Sequence, residues 1–243
     1  MLLVIDVGNT NLTLGLFQKD RLRKEFRVET KGFNKLPKLP WGKIQKVLIA
    51  SVVPAVDKLL CREIKVPYEF VDVQNIPYIK VKFKNKKEIG ADRLVNAVAA
   101  YKIYGGPAVI IDFGTATTFC TIRANGEYLG GVIAPGINLS RIVLHERTAK
   151  LPLISLYKPK KVIGDSTLTA MESGLVFGYG CMVDGMIQAI KKELKEKYKE
   201  KSPYVIATGG YAKLINEVLP KKIEHIDPQL TLKGLRIIAE AKR

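Results

Sequence analysis

Two stretches of the chain repeat a pattern suited to phosphate chemistry. Leu2-Leu3-Val4-Ile5-Asp6-Val7-Gly8-Asn9-Thr10 and Ala108-Val109-Ile110-Ile111-Asp112-Phe113-Gly114-Thr115-Ala116 each carry an apolar run that ends in Asp-x-Gly and passes into small residues. A glycine at that point lets the backbone approach a phosphate with no Cβ in the way. The amides that follow Gly8, with the side chains of Asn9 and Thr10, can donate to phosphate oxygens. Asp6, at the end of the apolar run, is placed to hold Mg²⁺ directly or through water. Asp112, Gly114 and Thr115 offer a second turn of the same kind. A single Asp-x-Gly is a common turn, whereas two in matching positions of a repeat point to a shared task. Other phosphate-binding patterns are missing: the sequence has no Walker A motif, no GxGxxG and no protein-kinase signature.

Each turn needs strands to hold it. Residues 12–17 and 117–122 read as a second β-rich run after each turn, giving strand, tight turn, strand. A third strand follows in both copies, over 24–28 after Lys19-Asp20 and over 127–133 after Asn125-Gly126, a strong hairpin signal. Further strands are predicted over 46–53, 68–71, 204–207 and 223–226. Helices are predicted over 55–64 behind Pro54, 89–104, 137–148, 166–199 as one long or two abutting helices, up to Leu219, and 230–241. Gly105-Gly106-Pro107 punctuates the two copies. The expected architecture is therefore α/β, a duplicated ribonuclease-H-like (actin-like ATPase) fold with halves at 1–106 and 107–243. That fold class places ATP in an interdomain cleft, and fold alone does not fix function.

Composition narrows the class. The 243 residues are 47% hydrophobic and 26% charged, ordinary for a globular protein. No apolar run approaches the roughly 20 residues that span a bilayer. The N-terminal residues meet Asp6 early and have no basic lead-in, so a signal peptide is not expected and the cytoplasm is. Cys61, Cys120 and Cys181 are scattered without metal-ligand spacing and read as reduced core thiols. With only His145 and His225, a histidine metal site has no basis. The net charge of +17 suits an enzyme with anionic substrates. The basic residues form no stripe and are not interleaved with aromatics, so neither a nucleic-acid nor a membrane partner is expected. The run Lys191–Lys201 mixes both signs, with Glu193 and Lys197 four apart, and reads as a solvated helix face.

Several further pieces, in order and spacing, give the chain a specific resemblance. DVGNT (6–10), IGADR (89–93), DFGTATT (112–118), GGVIAPG (130–136), ST-x-x-AM-x-SG (166–174) and ATGG (207–210) together resemble the type III pantothenate kinase family over nearly the whole length. The resemblance implies ATP-dependent phosphorylation of pantothenate to 4'-phosphopantothenate, the first step of coenzyme A synthesis. It implies Asp6, Val7, Gly8, Asn9, Thr10, Asn11, Leu12 and Thr13 as the ATP loop, with Thr115 as a further ATP contact. Asp92 resembles the family's catalytic base. A carboxylate there can take the proton of an attacking alcohol and orient it toward the γ-phosphate, or it can cap the helix that follows. Gly90, Ala91, Arg93 and Thr167 resemble pantothenate contacts. Arg93 also suits a salt bridge, Thr167 a plain helix-start hydroxyl, and Thr115 a hydroxyl bonding its own turn. Asp112 resembles the ligand of a monovalent cation, K⁺ or NH₄⁺, and Mg²⁺ is expected with the nucleotide. Gly209-Gly210 reads as a strand-to-helix turn open to nucleotide, and Gly130-Gly131 and Pro135-Gly136 as structural.

The resemblance also implies a homodimer with the long helix at the interface. Gly174, Gly178 and Gly185 lie in that helix, and close packing within one chain is the other account of them. Two positions depart from the family, which typically has tyrosine seven residues before Gly90 and proline four before it. Phe83 and Lys86 stand there, so a hydrogen bond from that tyrosine has no counterpart. A superfamily kinase for another small molecule and a nucleic-acid-binding regulatory protein are the alternative functions; the GADR block speaks against the former, and only net charge speaks for the latter.

Overall fold

Strand β1 (Leu2–Val7) is buried almost throughout because it lies mid-sheet, antiparallel to β2 (Asn11–Gln18) and parallel to β4 (Lys46–Ser51). With β3 (Arg21–Glu29) and β5 (Tyr68–Phe70) the sheet runs β3-β2-β1-β4-β5. Its alternating exposure on β3, an edge strand rich in Arg and Lys, keeps a long free edge polar. The structure, a computed structural model, describes residues 1–74, 76–83 and 85–241.

Two compact units are present. The first comprises Met1–Tyr104, Gly126–Tyr128 and the stretch from Gln229 onward. It contains the sheet just described, α1 (Pro54–Glu63), β6 (Lys80–Val81), α2 (Ala91–Tyr104) and α6 (Leu230–Ala241). The sequence division at 106 and 107 put the last helix in the second half. It instead packs on α2 and on β1, β2 and β4. Its apolar residues Leu230, Leu232, Leu235, Ile237 and Ile238 are buried there. A Cβ at Gly234 would stand 2.4 Å from the Val95 carbonyl oxygen, so glycine permits the close helix approach. β6, absent from the sequence reading, pairs in parallel with Glu127 and Tyr128. Between β3 and β4, where a duplicated fold would repeat a helix, the chain is irregular apart from a 3₁₀ turn at Trp41–Lys43. Phe33, Leu36, Leu39 and Ile44 pin that stretch into the first core.

The second unit, Gly105–Asn125 and Leu129–Pro228, repeats the plan. It has β7 (Ala108–Phe113), β8 (Ala116–Ile122), most of β9 (Glu127–Pro135), α3 (Ile137–Glu146), α4 (Thr167–Tyr198), β10 (Tyr204–Thr208), α5 (Ala212–Val218) and β11 (His225–Ile226). Its strands run β11-β10-β7-β8-β9. β7 is antiparallel to β8 and parallel to β10, as β1 is to β2 and β4. Two such sheets make the duplicated ribonuclease-H-like fold expected. The long helical region is one helix of 32 residues, α4. Its start is fixed by a reciprocal capping box between Ser166 and Thr169, and its end by Lys199 in the left-handed region. No helix among the described residues is long and apolar enough to cross a membrane.

Candidate active site

The first Asp-x-Gly turn closes between β1 and β2, with Asp6 opposite Thr13 and Val7 opposite Leu12. The Gly8 N–H donates to the Asn11 carbonyl at 3.0 Å, the Thr30 hydroxyl donates to the Gly8 carbonyl at 2.6 Å, and the Thr30 N–H donates to the Thr10 carbonyl at 2.9 Å. Thr30 thus braces a turn whose tip, Asn9 and Thr10, is exposed. Of the eight residues expected in the ATP loop, Val7 and Leu12 are 1% and 0% exposed, so their side chains belong to the core and only their backbone could meet a ligand.

The second turn matches it in the second unit. Asp112 lies opposite Thr118 on one side and Thr208 on the other, and Gly114 and Thr115 form an exposed tip. Two glycines on neighbouring loops wall this turn. A Cβ at Gly136 would stand 2.2 Å from the Thr115 carbonyl oxygen, and one at Gly209 would stand 2.6 Å from the Phe113 carbonyl. Gly209 also has a φ of +90°, which favours glycine. The Gly136 N–H donates to the Thr115 carbonyl at 3.1 Å, tying the start of α3 to the turn. From below, Tyr179 of α4 hydrogen-bonds both Thr117, at 2.7 Å, and the Pro135 carbonyl.

The Gly90–Arg93 block opens α2. Helical bonding starts from the Gly90 carbonyl, which accepts from the Arg93 N–H at 3.2 Å. Asp92 therefore sits inside the first turn rather than at the capping position, and its Oδ1 accepts from the Arg93 N–H at 2.8 Å. Burial pushes the Asp92 carboxyl above the ordinary carboxylate range, against the opposing pull of the Arg93 N–H and the Arg93 charge. A carboxylate so placed is a stronger base than one in water.

Beside this block lies a cavity of about 350 Å³. Its walls are the carboxyl ends of β4 and β5 (Ile49, Ser51, Phe70), the following Val52, Val71 and Val73, Asp57 of α1, and Glu88 to Ala91. β1, β4 and β5 run parallel, so their carboxyl ends share one edge of the sheet. That is the edge at which open α/β sheets take ligands. Ser51, in the cavity wall, is directly opposite Val7, the residue after Asp6, so the first Asp-x-Gly turn and the cavity sit side by side in this unit. Asp57 Oδ1 is buried and has no hydrogen-bond partner among the described residues. Asp57, Ser51 and Glu88 were not legible as site residues, because none belongs to a motif.

Thr167 lies in the first turn of α4, exposed, with Ser166 and Thr169 supplying the cap. The simple capping role is thus taken by its neighbours. Phe83 is half-buried beyond β6, and Lys86 opens a 3₁₀ turn ahead of Ile89. On α4, a Cβ at Gly174, Gly178 or Gly185 would meet nothing within 4 Å among the described residues. Close packing inside the chain therefore does not account for these three, whereas Gly180 is held against Val218.

The profile of the type III pantothenate kinase family matches residues 2–189. The chain belongs to the type III pantothenate kinase family. Membership with this fold makes it a nucleotide-dependent phosphotransferase. Among solved structures it is similar to a Campylobacter jejuni protein described as a Baf family transcriptional activator, at 20% identity over 99% of this chain and 98% of that one, with a TM-score of 0.65. A Sinorhizobium meliloti protein described as a 2-dehydro-3-deoxygalactonokinase aligns at 11% identity over 100% and 99%, with a TM-score of 0.56. The Clostridium difficile activator of 2-hydroxyisocaproyl-CoA dehydratase, with bound ADPNP, aligns at 12% identity over 99% and 95%, with a TM-score of 0.50. At these identities the likeness is one of fold, that of the actin-like ATPases and sugar kinases.

Proposed function

We propose that this member of the type III pantothenate kinase family transfers the γ-phosphoryl group of ATP to the primary alcohol of pantothenate, in the cytoplasm, as the first step of coenzyme A synthesis. The observation that carries the reading is the half-buried Asp92 carboxylate in the first turn of α2, next to Gly90 and Ala91, which line a ligand-sized cavity. In the transfer the alcohol oxygen attacks the γ-phosphorus and the bond from that phosphorus to the β–γ bridging oxygen breaks. ADP leaves, and Asp92 takes the alcohol proton. Arg93, Gly90 and Ala91 contact the acceptor, and Thr167 is a further acceptor contact.

The charge of the cavity wall favours one end of the acceptor over the other. Among the described residues Asp57 and Glu88 line it and no lysine, arginine or histidine does. It therefore suits the hydroxyl- and amide-bearing end of pantothenate and repels the carboxylate. Ile49, Phe70 and Val71 offer apolar surface for the carbon skeleton between them.

Nucleotide phosphates are assigned to the exposed amides and side chains at Asn9 and Thr10, with Asn11 and Thr13 behind them and Thr115 on the second turn. Mg²⁺ is a hard cation that kinases hold by one or two carboxylates plus substrate phosphates. Asp6, half-buried at the strand end beside that exposed tip, fits such a role, and the ion supplies charge neutralisation on the phosphates. Asp112 lies opposite Thr118 and Thr208 in register, and its carboxylate is assigned to K⁺ or NH₄⁺.

The functional unit is a homodimer joined along α4. Each glycine in a helix costs about 1 kcal/mol relative to alanine, and Gly174, Gly178 and Gly185 relieve no Cβ contact among the described residues. A partner helix is the reason for their retention. The test is a coupled ATPase assay offering pantothenate, sugars and acetate separately. ADP release with pantothenate alone is the expected result, and turnover of a sugar or acetate instead would replace the acceptor.

A further inference from the structure

We propose that Tyr179 is a positioning residue for nucleotide binding, acting through Thr117 on the Thr115 turn; this rests on the reading that Thr115 meets ATP. Tyr179 is 8% exposed, on the core face of α4, and its hydroxyl meets two groups. The Tyr179 hydroxyl donates to the Thr117 hydroxyl oxygen, 2.7 Å away, and to the Pro135 carbonyl, so one phenol O–H serves two acceptors. Thr117 is 1% exposed and pairs with Phe113 across the turn. One phenol thus holds the foot of the Gly114-Thr115 turn and the strand end that leads into Gly136.

Those two segments are also joined at the top, where the Gly136 N–H donates to the Thr115 carbonyl at 3.1 Å. The pair is therefore clamped at both ends, and the lower clamp depends on a single side chain from a third element. Burial keeps the phenol neutral by raising its pKa, so the donor is present throughout the physiological range. Without it, Thr117 and Pro135 keep buried polar groups lacking a partner, and the turn can shift away from the geometry a phosphate needs.

The test uses the full chain and Mg·ADPNP as a non-hydrolysed probe, titrated calorimetrically into wild type, Tyr179→Phe, Thr117→Val and the double variant. Loss of one buried hydrogen bond corresponds to about three- to tenfold in affinity, so each single variant should bind Mg·ADPNP more weakly by about that factor. Because both act on one clamp, the double variant should be no weaker than the worse single. Thr117→Ser, which keeps the hydroxyl, should restore wild-type affinity. In turnover, KM for ATP should rise with KM for the acceptor unchanged. Wild-type nucleotide affinity in folded Tyr179→Phe, or a double variant showing the product of both losses, overturns the proposal. A wild type that binds Mg·ADPNP yet does not phosphorylate pantothenate sinks the acceptor assignment and leaves the Tyr179 test intact. A wild type that binds no nucleotide overturns both.

Discussion

A β-carbon on Gly90 would stand 2.4 Å from Oδ1 of Asp92. The glycine is there so that the carboxylate can fold back over the start of α2 and accept the Arg93 N–H. The atom in the way is the end of a side chain, so Gly90→Ala leaves the fold an easy escape: Asp92 swings aside. We expect a melting temperature near that of wild type and turnover lower by about a hundredfold, the scale of a 1 Å misplacement of a catalytic group. Thermal melts and steady-state kinetics on one preparation check this; full activity would remove Asp92 from the reaction.

Asp92→Asn removes the base and keeps the shape and the acceptor for the Arg93 N–H. Turnover should fall by about 10²- to 10⁴-fold, with Mg·ADPNP binding retained. The pH dependence of stability runs opposite to that of a salt-bridged carboxylate. The folded pKa of Asp92 lies above its ordinary 3.8, so the native state holds the proton more tightly than the unfolded chain. Between the two values wild-type stability falls as pH rises, and the cost is complete above the raised value. Asp92→Asn should therefore melt higher than wild type at neutral pH, with the gap closing as pH falls toward 3.8. A gap that widens on acidification would contradict the raised pKa.

The turns and their strands were legible because Asp-x-Gly, a common turn on its own, recurs at the end of an apolar run in matching positions of two copies. The places of β4, α1, β10 and α6 followed from periodicity and from Pro54, though β4 ends at Ser51 rather than 53, α1 runs Pro54–Glu63 rather than 55–64, and β10 reaches Thr208 rather than 207. Elsewhere local pattern was not enough. The partner of α6 is α2, more than a hundred residues earlier, and an amphipathic face does not name what covers it. Asp57 looks like an ordinary first-turn acid of α1 until β5 and the segment before α2 close a cavity over it. Gly136 was quoted as part of a motif, but its reason, the Thr115 carbonyl at 2.2 Å from a would-be Cβ, is a contact between loops. Tyr179 reads as one more apolar-face residue of a long helix; only the register of β7 with β8 brings Thr117 beneath its hydroxyl.

Asp112 lies opposite Thr118 and Thr208, and the proposed K⁺ or NH₄⁺ would sit on its carboxylate. Activity should rise several-fold when Na⁺ is exchanged for K⁺ or NH₄⁺ at constant ionic strength, and Asp112→Asn should abolish that response while leaving the Mg²⁺ requirement. An ion response that survives Asp112→Asn would place the cation elsewhere.

Gly178 is exposed on α4, and a Cβ added there would meet nothing within 4 Å among the described residues. Gly178→Leu should therefore fold as well as wild type, and gain slightly in helix propensity. Against a partner helix the same leucine would clash. Sedimentation velocity should show a dimer for wild type and a monomer for the variant, with activity falling in step with the monomer fraction. A monomeric wild type at assay concentration refutes the interface.

Asp57 separates two accounts of the cavity. As the acidic residue in the first turn of α1 it favours the helix dipole, a contribution of about 0.3–1 kcal/mol. As a ligand residue it carries an opposite sign, because its Oδ1 is buried without a donor among the described residues and a buried acceptor left unpaired costs about 1–3 kcal/mol. The two terms move stability in different directions when the side chain is removed. If Asp57 waits for a hydroxyl or amide N–H of the acceptor, Asp57→Ala should hold or raise the melting temperature of the free protein and raise KM for pantothenate about tenfold, the loss of a hydrogen bond to a charged acceptor. KM for ATP should stay at its wild-type value, since the exposed tip at Asn9 and Thr10 is untouched. Saturating pantothenate should then stabilise wild type more than the variant in the same melt. If the helix dipole is the whole role, Asp57→Ala lowers the melting temperature and leaves both KM values unchanged. In that case the acceptor does not reach this wall of the cavity, and its orientation with the carboxylate turned away from Asp57 and Glu88 fails with it.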